Sequence, residues 1–196
     1  MVNYSGGTSK AHQAQEIAYD AMECMYRDEE KAASLCRKAL SIYPDCVDAL
    51  AMLAEIESET VKDYIESMDK AVKAGRKYLG KDYFEQECGN FWGLLETRPF
   101  MRAMAQLGHG YMQLGKKGYS QAIEVFEEML ELNPNDNQGI RDTCLAVTWL
   151  QSIMKKLATC SSGTKTKQWQ ISCGPECFTI ISPADRRRLK RPSNRL

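Results

Sequence analysis

The chain is poor in histidine, carries no net charge and has no long apolar run, and each absence removes a class of function. Only two of its 196 residues are histidine, His12 and His109. His109 has no serine, cysteine or paired carboxylate at catalytic spacing beside it, which leaves no support for a triad-type hydrolase. No apolar stretch approaches the roughly 18 residues a membrane span requires. The opening MVNYSGGTSKAHQAQE is polar throughout and lacks an apolar signal core, so the expectation is a cytoplasmic protein with no membrane partner. There are eight cysteines, but Cys24, Cys36, Cys46 and Cys88 stand singly among helical patterns. They read as small reduced core residues rather than as a disulfide framework.

The zero net charge conceals a division. Ten of the 26 basic residues but only two of the 26 acidic ones lie from Thr148 onward, so the first 147 residues carry −8 and the remainder +8. Hydrophobic residues make up 43% of the chain and charged ones 27%, ordinary for a globular protein.

What fills the sequence is helix, with few β-branched runs. Two stretches, KAASLCRKALSIYPDC and SQAIEVFEEMLELNPND, align with Ala32 on Ala122, Cys36 on Phe126 and Pro44 on Pro134. In each, a small residue is followed four positions later by a packing residue and twelve later by a proline that ends the helix. Upstream of the second stretch, MAQLGHGYMQLG places Met104, Leu107, Gly108 and Tyr111 at helical spacing. Gly108 removes a side chain where a neighbouring helix must come close. Tyr111 fills the gap beside it, and Ala122 is expected to receive the contact. The glutamates at 124, 127, 128 and 131 read as a solvated face, and Met52, Met68, Met101, Met104 and Met129 as core fillers.

MxxLGxxY followed by AxxxF and a closing NPND resembles the tetratricopeptide repeat, a helix-turn-helix unit of about 34 residues. Ile17–Pro44 and Ala49–Leu79 form two weaker units of the same kind. Between the second and third units lies YFEQECGNFWGLLETRPF, where Gly89, Gly93 and Pro99 interrupt the helices and Phe91, Trp92, Leu94, Leu95 and Phe100 supply an apolar cluster. FWGLLETRPF ahead of NPNDNQGIR resembles bacterial repeat proteins related to the suppressor-of-tumorigenicity-seven family, over about Ala39–Arg141. The resemblance implies an all-α array of helical hairpins, an α-solenoid acting as an adaptor without catalysis or cofactor. In such arrays the first helix of each hairpin lines the concave surface, which puts Arg102, Gln106, His109 and Gln113 before a protein or peptide partner. It also implies that Asn137 and Arg141 grip a peptide carboxylate or backbone; Asn137 reads equally as the cap of the following helix.

After NQGIRDTCLAV the periodicity stops. If one base is missing at the Val147–Thr148 junction, synonymous codons for residues 148–196 permit a peptide beginning YLAAINYEEACNLFKRYEDK. That peptide is helical and has no forced stop. It sets alanine and phenylalanine at positions 157 and 161, one repeat after Ala122 and Phe126. The protein is therefore expected to divide into a flexible segment 1–12, a repeat domain 13–147 and a frameshifted, disordered, irregular basic tail 148–196. Two motifs in that tail offer other functions. CGPEC spaces Cys173 and Cys177 by one residue too many for a thioredoxin loop and lacks the strand-then-helix context. With Cys160 these cysteines have no second CxxC or histidine pair for zinc. RRRLKR would serve the rival reading, a nucleic-acid-associated protein held by phosphate contacts.

Overall fold

A computed structural model describes residues 9–161. Among the described residues there are eight α-helices and no strand. They are α1 Lys10–Cys24, α2 Glu29–Ile42, α3 Val47–Glu57, α4 Val61–Leu79, α5 Lys81–Glu87, α6 Arg98–Gln113, α7 Tyr119–Leu132 and α8 Ile140–Ser161. No helix among these residues is long and apolar enough to cross a membrane.

The helix boundaries follow local chemistry. Ser9 caps α1 by accepting from the His12 N–H at 3.2 Å, so helix begins at Lys10, within the segment expected to be flexible. Asp28 caps α2, and Thr60 and Asp63 form a reciprocal capping box at the start of α4. Gly80, at φ 76°, ends α4 in a conformation that side-chain-bearing residues avoid. Pro44 and Pro134 follow α2 and α7 in the turns, where a missing N–H stops each helix.

The helices pack in a regular order of contacts. α2 lies against α1 and α3, α4 against α3 and α6, and α7 against α6, while α1 touches α3 and α3 touches α6. The first part of the core is built from small residues. Ala14, Ala18 and Ala21 of α1 meet Cys36 and Ala39 of α2 and Ala49 and Met52 of α3. Burial pushes the Cys36 thiol up to about 11, with Cys46 and Cys24 nearby adding to the effect, so this thiol is inert. The larger part is filled by Phe91, Phe100, Phe126, Met68, Met101, Met104 and Met129, all buried.

Here aromatic rings enter notches cut by glycine. A Cβ on Gly75 would lie 2.7 Å from the Phe100 ring, one on Gly108 2.3 Å from Phe126, and one on Gly110 3.0 Å from Tyr64. The nearest atoms to that notch at Gly108 belong to the Phe126 ring, with Ala122 buried in the same cluster. The backbone carbonyl of Tyr111 instead faces Gly118, 2.0 Å from where a Cβ would sit.

The segment joining the second and third hairpins is more ordered than its glycines suggest, because α5 forms within it. Tyr83 and Phe84 of α5 bring rings to Phe91 and Phe100, with centroids 4.9 to 6.1 Å apart. Leu95, expected in this cluster, is 68% exposed; the α5 aromatics occupy the space instead. Thr97 is fully buried and donates its hydroxyl to the carbonyls of Phe91 and Leu94, which locks the turn ahead of α6.

Helix α8 also departs from expectation. It continues through the Val147–Thr148 junction to Ser161. No glycine or proline lies between Arg141 and Ser161, so a helix once nucleated has nothing to stop it. Its packing stops first: Ile140, Cys144 and Val147 are buried, whereas Trp149 and Leu157 are at least 60% exposed.

Candidate functional site

Three first helices meet around one carboxylate. Asp48, on α3, is 2% exposed. It accepts from Arg102 Nε at 3.1 Å and Nη2 at 2.5 Å, and from Gln15 Nε2 of α1 at 2.6 Å. Burial of Arg102 works against its charge, but the hydrogen bonds and charge of Asp48, helped by Tyr19, outweigh it and raise its pKa. Arg102, expected to face a partner, is therefore committed to a tie between α1, α3 and α6. Sequence reasoning missed Asp48, although a single carboxylate inside VDALAMLA was the available signal: a charge in an apolar helical run must be paired if it is buried. Asp48→Ala strands the Arg102 guanidinium and is expected to cost about 1–3 kcal/mol. Asp48→Leu combined with Arg102→Met should lie closer to wild type, and urea denaturation of the three proteins distinguishes them.

The rest of the stripe on α6 is available. Gln106 is half-buried, and His109 and Gln113 are exposed. His109 stands edge-on to Phe126, centroids 5.5 Å apart, so its ring is held in place while its polar edge stays accessible. Gln113 borders a shallow cleft with Tyr64, Glu55 and Thr60 at the α3–α4 turn.

At the start of α8 the expected pair separates. Asp136, at φ 51°, caps the helix by accepting from the Ile140 N–H at 2.7 Å and the Arg141 N–H at 3.0 Å. The cap is thus Asp136 and not Asn137. Arg141 folds back, with Nη2 donating to the Pro134 carbonyl at 2.9 Å and its guanidinium 4.0 Å from Asp136. Asn137 is brought instead to a concavity of about 430 Å³, together with Asn90, Trp92, Arg98, Asn133 and Asn135. Arg98, Asn90 and the other two asparagines escaped the sequence reading because they lie roughly one repeat apart in sequence, and only the fold of α5 and α7 joins them.

Among the described residues no group of three or more histidine, cysteine or acidic side chains is placed to hold a metal ion. The CGPEC and RRRLKR motifs lie outside the described residues. Comparison of the sequence with protein-family models, with curated proteins and with solved structures finds no match in any of the three.

Proposed function

We propose that the protein is a non-catalytic interaction scaffold of tetratricopeptide-like hairpins, similar to the bacterial adaptors named above, whose array is cut short by a change of reading frame at Val147–Thr148. The observation that carries this reading is the order of helix contacts. Each second helix packs on the first helix of its own hairpin, and α2 and α4 also pack on the first helix of the next. That pattern is what stacked two-helix units require, because a single hairpin cannot bury its apolar face alone. The first helices then present a continuous row of side chains, in which Gln106, His109 and Gln113 remain uncommitted by internal ion pairs. Recognition by such a row would rest on polar side chains fixed by the packing beneath them.

The test is the triple variant Gln106→Glu, His109→Glu, Gln113→Glu, used as bait beside wild type in affinity capture. All three positions are at least partly exposed, so the thermal melt should not move. Proteins retained by wild type should be lost from the variant. An identical set on both baits, with both folded, overturns the inner-row assignment.

A further inference from the structure

We infer that α8 pairs antiparallel with α8 of a second copy of this chain, the two-fold axis passing at Trp149. The surface involved lies on the far side of the helix from the core and has no part in the row on α6, so it stands whether or not the scaffold reading does.

α8 carries two apolar stripes. With about 3.6 residues per turn, Ile140, Cys144 and Val147 fall together on one side of the helix, and Leu145, Trp149 and Ile153 fall together roughly opposite. The first stripe is buried in the core. On the second, Leu145 is 63% and Trp149 66% exposed, with Leu157 at 60% along its flank. A contiguous apolar strip of this kind marks an association surface, because covering it removes apolar area from water. Trp149, at its centre, is of the residue type that most often anchors such contacts.

Charge decides what covers it. The strip is symmetrical about Trp149: Leu145 and Ile153 stand four residues to either side of it, and Asp142 and Lys156 seven residues to either side. Asp142 and Lys156 are both exposed and lie on the same face of the helix as Trp149. Parallel pairing would set Asp142 beside Asp142 and Lys156 beside Lys156. Antiparallel pairing about Trp149 sets Asp142 of each copy opposite Lys156 of the other, so both ends of the contact are complementary. It also brings Leu145 onto Ile153 and the two indoles together, and it opposes the two helix dipoles. A foreign partner would have to reproduce that succession of acid, apolar and basic groups; a second copy supplies it by symmetry. The contact from Asp142 to Lys156 runs for about 21 Å. One helix pair of that length covers little area, which places the dimer in the weak, reversible class, and the dilute chain is a monomer.

Sedimentation velocity of the full-length chain, from about 2 to about 200 μM, should show monomer passing to dimer and going no further, since a two-fold pairing closes on itself. Trp149→Glu should hold the chain monomeric throughout, with the melt of the dilute protein unchanged because that side chain is exposed. Asp142→Lys and Lys156→Asp each set like charges opposite one another, and each should weaken the dimer about tenfold at low salt. Mixing those two variants in equal amounts should restore it, because the mixed pair again has a lysine opposite an aspartate at both ends. Misfolded variants could not give that recovery. A monomer at every concentration, the result to be expected if residues 162–196 of the same chain cover the strip, would overturn the inference. So would a dimer that survives Trp149→Glu, growth beyond two copies, or a mixture that associates no more tightly than its components.

Discussion

Gly108→Ala is expected to destabilise the protein by about 1–3 kcal/mol, although alanine is the better helix former. In an open helix interior the same change stabilises by roughly 0.5–1 kcal/mol, so the sign itself is the test. The added Cβ would lie 2.3, 2.7 and 2.9 Å from three atoms of the Phe126 ring. Phe126 is fully buried and cannot swing aside without displacing the core residues around it. Pairing Gly108→Ala with Phe126→Leu shortens the intruding group and should recover part of the loss, giving a favourable coupling in a double-mutant cycle. Gly118→Ala is the contrasting case. There the obstacle is the Tyr111 carbonyl, 2.0 Å from the Cβ position, so no side-chain truncation relieves it and the α6–α7 hairpin must open. Urea denaturation should rank Gly118→Ala below Gly108→Ala and show rescue only for the latter; a stabilised Gly108→Ala would mean the helices do not nest there.

That contrast shows which parts of the molecule could be read from the amino acids alone. Helix positions were legible wherever the apolar period is strong, as at Ala122 and Phe126 in α7 or Met104 and Leu107 in α6, because that signal is local. Gly108 was recognisable as a notch, but not its occupant, since which ring enters depends on the rotation of α7 about its axis. α5 was hidden for a similar reason: KDYFEQE is short and its two aromatics find their place only against Phe91 and Phe100. The candidate site was less legible than the fold. Arg102 carried the pattern of an exposed recognition residue, and only the placement of Asp48 54 positions earlier converts it into a tie. Arg141 was likewise drawn away by Asp136 and the Pro134 carbonyl, while Arg98, held over the Trp92 ring, lies within a motif whose apolar residues had claimed the interpretation.

Replacing residues 148–196 with the peptide of the shifted frame is expected to raise the melting temperature by roughly 5–10 °C. The scale comes from burying one or two large apolar side chains, about 1.5–3 kcal/mol each, at roughly 2–4 °C per kcal/mol for a protein of this size. α8 explains why there is room for such a gain. Its buried stripe runs Ile140, Cys144, Val147, at intervals of four and three, and ends at the junction. Beyond it, Thr148 and Ser152 turn their hydroxyls back to carbonyls of their own helix, at 2.8 and 2.9 Å, and Gln151 reaches Ser120 of α7 through a single exposed hydrogen bond of 2.7 Å. Trp149 and Leu157 meanwhile stand 66% and 60% exposed. The shifted frame puts tyrosine at 148, alanine at 157 and phenylalanine at 161, supplying the large and small residues with which one hairpin nests on the next. Truncation after Val147 is the matching control: if the present segment adds no packing, the melt should move by only a degree or two. A loss on truncation as large as the expected gain would show that residues 148–196 are part of the folded unit. An intact frame encoding TWLQSIMKK in the genes of close relatives would show that they were selected.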